Sequence, residues 1–348
     1  MLARKPITIV GGGLAGLTLG IGLRQHQVPT LLLEAGHYPR HRVCGEFICG
    51  QGESTLAKLG LIPLLEQAGA RRTRTVSLFT MRARSGIRRL PQPGLCLSRY
   101  CLDAALADEF RRLGGKLEVE TRWLGDRDCE GFVYASGRRR ADFKRPNAVW
   151  FGLKAHVRGI KLQSDLELHL NPDGYIGLCH LNSDVVNVCG LFRRIPREAT
   201  VCAGKYDQLL ARMGPELRRR LQSASVEESS ICSVAALSYD PPAFADAKAC
   251  RIGDCLTLTP PLTGNGMSMA FEAAELAVQP LTQYSQGLLG WAEAVRAVSA
   301  ACRKRFGQRL AWSRALHPVV FHHTAQRGFG FLIFRFDSAW RLAFALTR

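Results

Sequence analysis

The segment Pro6–Gly16, with the sequence PITIVGGGLAG, decides the fold of this chain of 348 residues. Its first five residues are apolar and rich in β-branched side chains, and such a run predicts a buried parallel strand. Gly11, Gly13 and Gly16 follow in the spacing G-x-G-x-x-G, and Leu17–Gln25 then has the composition of a helix. A strand, a glycine turn and a helix in this order predict a dinucleotide site.

Each residue of the glycine turn has a physical task in such a site. Gly11 permits the tight turn, Gly13 lets a pyrophosphate approach the backbone, and Gly16 lets the helix pack closely on the strand. Leu14 and Ala15 lie between Gly13 and Gly16. The free N–H groups and the positive dipole end of a helix N-terminus favour a bound phosphate at this place.

An acid completes the pattern. A second apolar stretch, Thr30–Leu33, predicts a neighbouring buried strand, and it ends at Glu34. Glu34 lies about 20 residues beyond Gly11, where dinucleotide-binding folds place the carboxylate that accepts the ribose hydroxyls. The ordered set therefore favours a functional dinucleotide site over an isolated tight turn.

Three later segments carry further candidate residues. The segment Tyr38–Gly52 contains Arg42 and the run Cys44-Gly45-Glu46, and Leu97–Leu106 carries Arg99 at the start of an amphipathic helix. The third segment, Arg251–Ala277, holds Gly253-Asp254 and then Gly264-Asn265-Gly266 just before a predicted helix.

Together these segments resemble the FAD-dependent oxidoreductases of the glutathione-reductase-type fold. Within them the chain is most similar to geranylgeranyl reductases, flavin-dependent halogenases and aromatic hydroxylases of the p-hydroxybenzoate hydroxylase type, over most of residues 5–285. The resemblance implies an α/β protein with a Rossmann-like FAD-binding domain, an inserted antiparallel β-sheet substrate domain and C-terminal helices. The expected FAD domain is discontinuous and comprises residues 1–72, 96–146 and 248–285. Residues 73–95 and 147–247 would form the substrate domain, and residues 286–348 the helical region.

The resemblance also implies which residues bind FAD. Asp254 matches the aspartate that holds the ribityl chain, and Arg99 matches an arginine that approaches the cofactor. Gly264 and Gly266 match glycines beside the flavin pyrimidine edge, where a helix N-terminus stabilises negative charge. The expected cofactor-binding residues are Gly11, Gly13, Leu14, Ala15, Gly16, Glu34, Arg42, Cys44, Gly45, Arg99, Asp254, Gly264, Asn265 and Gly266.

Two residues of the Tyr38–Gly52 segment are candidate catalytic groups. Cys44 is either a thiol of low pKa that relays a proton or forms an adduct, or a small packing residue beside the cofactor. Glu46 is either an acid–base group or the ion-pair partner of Arg42. No metal is expected, because His322-His323 lacks a carboxylate at the spacing of a metal site.

The strand predicted over Asn171–Leu181, NPDGYIGLCHL, supplies the candidate substrate-pocket residues Tyr175, Gly177, Cys179 and His180. The WxWxIP motif of the halogenases is absent and no lysine follows to match theirs, which disfavours halogenation. The tryptophan and the Phe-Pro pair of the geranylgeranyl reductases are replaced by Gly177 and Cys179-His180.

The activity expected from the resemblance is hydroxylation of a small hydrophobic or aromatic substrate by a monooxygenase that uses NAD(P)H and O₂. One alternative is a flavin-dependent reductase of carbon–carbon double bonds, and another is a flavoenzyme that acts on a substrate bound to a carrier or a protein. The sequence shows no second G-x-G-x-x-G motif for a separate nicotinamide domain. NAD(P)H is therefore expected as a transient electron donor, unless a partner reductase supplies reduced flavin.

The net charge of +18, from 47 Lys+Arg and 29 Asp+Glu, suggests an anionic partner. The basic residues are spread along the chain without an aromatic stacking motif, so no specific nucleic-acid binding is expected. The 12 cysteines include no C-x-x-C pair, which favours reduced thiols in a cytoplasmic protein. The apolar run GFGFLIFRF at Gly328–Phe336 leaves peripheral contact with an anionic membrane as an alternative to a helical core or a lid.

Overall fold

Two β-sheets and a set of helices make up the computed structural model, which describes residues 3–80, 83–125, 129–137, 150–171, 173–193, 214–237, 249–257, 264–321 and 336–346. The strands are β1 Ile7–Val10, β2 Thr30–Leu33, β3 Phe47–Ile48, β4 Arg71–Phe79, β5 Arg88–Cys96, β6 Lys116–Glu118, β7 Phe132–Tyr134, β8 Trp150–Arg158, β9 Leu166–Asn171, β10 Gly174–His180, β11 Val185–Arg193, β12 Ser225–Leu237 and β13 Cys250–Arg251. The helices are α1 Leu14–Gln25, α2 Gln51–Lys58, α3 Ile62–Gln67, α4 Arg99–Arg112, α5 Pro215–Gln222, α6 Gly266–Ser285, α7 Trp291–Val320 and α8 Asp337–Leu346.

The first sheet is parallel and has five strands in the order β13-β7-β1-β2-β6. β1 is buried between β2 and β7, which explains its continuous apolar sequence. Helix α1 begins at Leu14, three residues earlier than the predicted Leu17, and packs against α4 and α6. It is buried from Leu14 through Leu23, so the segment is apolar on all sides rather than along one stripe.

The second sheet has eight strands in the order β12-β8-β11-β10-β9-β4-β5-β3. Its pairings are antiparallel except that of β4 with β9, which is parallel. One face of its centre packs on α5 through an apolar cluster that includes Ile176, Leu178 and Leu217. The arrangement confirms the predicted α/β class, a Rossmann-like sheet with a second and largely antiparallel sheet, while the domain boundaries stay a prediction.

The C-terminal part is helical where the structure describes it. Helices α6 and α7 pack on each other and complete the apolar core around α1. The sequence also predicts a helix over residues 205–221; of these, 215–221 belong to α5 and 205–213 lie outside the described part of the chain. The pair His322-His323 and all but the last residue of the apolar run Gly328–Phe336 also lie outside the described residues. Among the described helices, none has the length and apolar character needed to cross a bilayer.

Candidate functional site

The glycine turn joins the carboxyl end of β1 to α1. Gly11 has a φ of +109°, and a Cβ atom at this position would lie 2.5 Å from the carbonyl oxygen of Ala135. A Cβ atom on Gly16 would overlap the carbonyl oxygen of Gly11. Both positions therefore require glycine, for the left-handed conformation and for the close packing of the helix on the turn.

Glu34, which directly follows β2, is hydrogen-bonded to this turn. Its buried carboxylate accepts the N–H of Gly12 at 2.7 Å and the N–H of Gly36 at 2.8 Å. It also pairs with Arg40, whose Nη2 lies 2.6 Å from Oε1. Burial raises the pKa of Glu34, but Arg40 and the two N–H donors outweigh that effect and hold the pKa below its ordinary value. Glu34 is thus an ionised acceptor beside the N-terminus of α1.

Two arginines, Arg42 and Arg99, lie near Glu34. Arg99 forms a bidentate ion pair with the fully buried Asp103, with N···O distances of 2.6 and 2.7 Å. Arg42 lies between two carboxylates, 3.5 Å from Asp103 and 4.0 Å from Glu34. Burial and the neighbouring cations Arg99 and Arg40 lower the pKa of Arg42. An anion bound here would relieve that unfavourable charge. Arg40 is not among the cofactor-binding residues expected from the sequence, although it is a basic residue only six positions after the ribose acid Glu34.

The segment Arg251–Ala277 meets the glycine turn at the start of α1. Gly253 has a φ of +62°, and a Cβ atom there would lie 2.9 Å from the Cβ atom of Ala15. Asp254 and Gly266 line one small cleft of about 10 Å³, room for roughly one water molecule. The predicted residues Gly253, Asp254 and Gly266 are therefore brought together with the glycine turn.

The segments Tyr38–Gly52 and Arg251–Ala277 also touch. The thiol of Cys49 lies 3.9 Å from the carbonyl oxygen of Gly264, and the Ser268 hydroxyl donates to the Cys49 carbonyl at 2.7 Å. Asn265 is buried at the position that precedes α6. The Tyr38–Gly52 segment thus lies against the N-terminus of α6.

Glu46 is the centre of a buried polar cluster. Its backbone has a φ of +55°, which is strained for a residue with a side chain. Its carboxylate accepts the N–H of Arg99 at 2.8 Å and Nε2–H of His156 at 2.8 Å, and it lies 3.1 Å from Nζ of Lys154. Of the two alternatives for Glu46, the ion pair with Arg42 is not formed, because Arg42 faces Asp103 and Glu34 instead.

The charge state of Glu46 follows from these contacts. Burial raises the pKa of Glu46, but the hydrogen bond from His156, the Lys154 charge and the Arg99 N–H together lower it below its ordinary value. Glu46 is therefore a carboxylate at neutral pH and is suited to accept protons rather than to donate them.

Three members of this cluster were missed by sequence reasoning: Lys154, His156 and His41. Lys154 and His156 are two residues apart on β8, so they point to the same face of the sheet. Lys154 donates to Nδ1 of His41 at 3.1 Å, and the His41 ring stacks on Tyr100 with 4.7 Å between centroids. The alternation of charged and apolar residues in LKAHV was the available signal.

The environment of His41 keeps its ring neutral. Burial, with the neighbouring Lys154 and His156, lowers the pKa of His41 to about 4. Ligand atoms of His41, His156 and Glu227 lie within 4.8 Å of one another, which is the spacing of a loose metal site. The Lys154 ammonium beside His41 would repel a cation there. The expectation of no metal stays a prediction.

Cys44 lies beside this cluster, and its sulfur accepts the N–H of Glu46 at 3.4 Å. Burial raises the pKa of the Cys44 thiol, and the nearby Arg99 charge opposes that effect only in part. A raised pKa is the opposite of the lowered pKa that a reactive thiolate has. The geometry favours the packing interpretation of Cys44.

The candidate substrate-pocket residues divide between the two faces of β10. Tyr175, Gly177 and Cys179 share one face, and His180 points to the other. Cys179 donates to the carbonyl oxygen of Gly45 at 3.3 Å, so the shared face lies against the Cys44–Glu46 loop. His180 is thereby separated from the other three residues.

Comparison with known proteins gives structural relatives only. No protein-family model and no curated protein matches the chain. The flavin-dependent brominase Bmp2 superposes with a TM-score of 0.78 at 18% identity, over 98% of this chain and 92% of that chain. PqsL of Pseudomonas aeruginosa, described as a probable FAD-dependent monooxygenase, was solved in complex with 2-aminobenzoylacetate. That complex superposes with a TM-score of 0.72 at 16% identity, over 93% of this chain and 98% of that one.

A flavoprotein/dehydrogenase from Cytophaga hutchinsonii superposes with a TM-score of 0.74 at 14% identity, over 99% of this chain and 92% of that chain. The chain therefore has the fold shared by flavin-dependent halogenases and monooxygenases. This is the fold that the motifs predicted.

Proposed function

We propose that this chain, which has the fold of flavin-dependent halogenases and monooxygenases, is an FAD-dependent oxidoreductase. The observation that carries the proposal is Glu34, an ionised and buried acceptor at the carboxyl end of β2. It holds the N–H of Gly12 beside the N-terminus of α1. This is the arrangement in which doubly wound folds bind the ribose and pyrophosphate of a dinucleotide.

Uncovered backbone in three segments of the predicted site supports the binding of FAD. Gly13, Gly45 and Gly266 come from three separate segments, and at each of them a Cβ atom would enter space with no atom within 4 Å. A backbone left uncovered in this way can be approached closely by a cofactor. Arg40 and Arg42 supply positive charge for the pyrophosphate.

The chain's own residues would then divide the work. The adenosine half of FAD would be held by the glycine turn and Glu34. The middle of the cofactor would be held by Arg42, Arg99 and Asp254, and the flavin ring would lie at the glycines before α6. Bound flavin supplies two-electron redox chemistry and, when reduced, reactivity toward O₂. The protein would position the substrate and exclude water.

Within this class we favour a monooxygenase that hydroxylates a hydrophobic or aromatic substrate with NAD(P)H and O₂. The similarity in fold to PqsL supports this choice. The substrate would lie at the face of the second sheet next to the Cys44–Glu46 loop, where the thiols of Cys179 and Cys189 lie beside the polar side chains of Lys154 and His156.

The alternative is reduction of a carbon–carbon double bond, and one observation favours it. Such a reduction needs a proton as well as a hydride, and Lys154 and His156 form a buried group of proton carriers around Glu46. This cluster lies one residue from the Cys44–Gly45 backbone, where the flavin would be bound.

One experiment separates the two activities. The FAD-loaded protein is reduced with NADH or NADPH under anaerobic conditions and mixed with a panel of aromatic and polyene substrates, with and without ¹⁸O₂. Hydroxylation requires oxygen and places ¹⁸O in the product. Product formed without oxygen would rule out the monooxygenase and support the reductase. A protein that binds no FAD would overturn the proposal as a whole.

A further inference from the structure

Helix α8 turns a partly apolar side to the solvent. Leu342 is 60% exposed there, and Phe336, which directly precedes the helix, is 48% exposed. Arg341 and Ala345 are also exposed and lie on the side of Leu342, because residues three and four positions apart are neighbours on a helix. A helix at a protein surface usually presents polar and charged side chains to water, so the exposed Leu342 departs from the ordinary pattern.

The other side of α8 is used for packing. Phe344 belongs to the buried apolar cluster that includes Leu90 of β5 and Cys179 of β10. Trp340, four residues before Phe344, packs against the same cluster. These contacts hold the helix on the second sheet. Leu342 faces away from them, so its exposure contributes nothing to this packing.

A third exposed apolar side chain lies near the start of α8. Ile87 is 63% exposed and directly precedes Arg88, whose Nη1 lies 3.5 Å from Oδ1 of Asp337. The described residues hold seven large apolar side chains with high exposure, and Ile87, Phe336 and Leu342 are three of them. Single exposed apolar side chains are ordinary, whereas a group of them around one ion pair marks a site of interaction.

The surroundings of these three side chains are basic. Residues 83–96 contain three arginines and no acid, and α8 contains Arg341 and one acid, Asp337. Asp337 is already engaged with Arg88 and Arg341. Arg84 and Arg89 are exposed, and neither forms an ion pair with a residue that the structure describes. This part of the protein surface therefore attracts negative charge.

Apolar side chains among arginines fit an anionic lipid bilayer best. Such a bilayer offers negative headgroups at its surface and hydrocarbon just below them, so both kinds of side chain are used at once. A nucleic acid would engage only the arginines and leave the apolar side chains in water. A second copy of the chain fits less well, because a two-fold contact sets the same arginines against each other.

We propose that the protein binds anionic membranes peripherally through the α8 surface, which is formed by Arg84, Ile87, Arg89, Phe336, Arg341 and Leu342. The apolar side chains enter the boundary between headgroups and acyl chains, and the arginines pair with lipid phosphates. Phe336 ends the apolar run Gly328–Phe336, so the surface includes the one described residue of that run. The inference goes beyond the proposed redox function and does not depend on it.

Co-sedimentation with lipid vesicles tests the proposal on the purified protein with FAD present. The protein is expected to bind vesicles that contain phosphatidylglycerol and to leave vesicles of phosphatidylcholine alone unbound. Salt raised from about 0.1 M to about 1 M shortens the Debye length from about 10 Å to about 3 Å, and it should weaken binding at least about tenfold.

Leu342→Ser tests the apolar contact. Loss of the leucine side chain should raise the dissociation constant for phosphatidylglycerol vesicles at least about fivefold. The matched control is Leu288→Ser, at a leucine that is 69% exposed between α6 and α7. L288S should bind these vesicles like the wild type.

Arg89→Ser tests the charge. Loss of one arginine at a membrane surface should weaken binding about fivefold. Arg111→Ser removes an equal charge from an exposed position on α4, and its dissociation constant should stay within about twofold of the wild type. All the substituted side chains are exposed or half-exposed, so thermal unfolding should match that of the wild type in every variant.

Three outcomes would overturn the proposal. The first is an absence of binding to phosphatidylglycerol vesicles, or equal binding to phosphatidylcholine. The second is equal vesicle binding by L342S and L288S or by R89S and R111S. The third is a loss of self-association in L342S, measured by sedimentation velocity without lipid, while vesicle binding is unchanged; the surface would then serve a second copy of the chain. None of these measurements involves turnover, so they are distinct from a failure of the proposed redox function.

Discussion

The imidazole of His156 donates a hydrogen bond from Nε2 to the carboxylate of Glu46 at 2.8 Å, and both side chains are almost fully buried. The two residues are far apart in the sequence, and one lies in the second sheet while the other follows the nucleotide site. Glu46 therefore joins the proposed cofactor site to the proposed substrate sheet.

Replacing Glu46 is expected to destabilise the fold strongly. Glu46→Gln would leave Lys154 buried without its carboxylate partner, and breaking a buried pair on one side costs about 3 kcal/mol or more. Because the folded-state pKa of Glu46 is lowered, its contribution is complete above its unfolded value of 4.5 and is lost as the pH falls further. Urea unfolding at several pH values measures both effects.

The matched control for this variant is Glu227→Gln, at a carboxylate that is 39% exposed on the other side of His156. Its effect should stay within about 1 kcal/mol, as for other exposed pairs. Equal free energies of unfolding for E46Q and the wild type would contradict the role assigned to Glu46.

The neutral ring of His41 predicts a second dependence on pH. The pKa of His41 is lowered to about 4 from an ordinary 6.5, so below pH 6.5 the unfolded chain binds a proton that the folded chain does not. Stability should therefore fall as the pH drops from 6.5 to about 4. His41→Gln should flatten this part of the stability profile, and His37→Gln, at an exposed site four residues earlier, should leave it unchanged. A profile that stays equally steep in H41Q would refute the assignment.

Removal of the charge from Glu34 should weaken the binding of FAD. Glu34→Gln loses a charged acceptor for the ribose and the ion pair with Arg40, and a charge-assisted hydrogen bond is worth about 1.5–3 kcal/mol. The dissociation constant of FAD should rise by at least about tenfold, as measured by fluorescence titration of the apoprotein. Glu118→Gln, at the end of the adjacent strand β6, serves as the control and should bind FAD like the wild type. Unchanged affinity in E34Q would show that this edge of the sheet does not hold the ribose.

Substitution by alanine should have different effects on stability and on FAD binding at two glycines of the G-x-G-x-x-G motif. Gly13→Ala adds a methyl group in open space, so the protein should fold with nearly normal stability but bind FAD poorly, because the methyl group would occupy the pyrophosphate position. Gly16→Ala drives a methyl group into the Gly11 carbonyl and should cost about 1–3 kcal/mol of stability. Thermal unfolding without FAD, combined with FAD titration, separates the two effects. Loss of stability in G13A with normal FAD binding would reverse the assignment.

The glycine turn and the acid that follows β2 could be predicted from the sequence, because the residues that define them lie close together along the chain. Gly11, Gly16 and Glu34 are placed by a strand–turn–helix order whose geometry leaves few alternatives, and the structure brings Gly253 to the same edge. The partners of Glu46 could not be found in this way, because they depend on how distant strands are registered. The same holds for the sheet face on which His180 lies. That face could not be assigned from the sequence, since a shift of one residue along a strand moves a side chain to the opposite face.

The contact between the Glu46 carboxylate and the N–H of Arg99 also has a mechanical consequence. Helix α4 begins at Arg99, and Lys154 and His156 belong to β8, so one carboxylate connects a helix beside the proposed nucleotide site to the second strand of the other sheet. A hinge between these two bodies would have to expose an ion pair that has no access to water. Substrate entry should therefore proceed by movements of peripheral segments around a rigid seam, and the seam itself should exchange its amide hydrogens slowly.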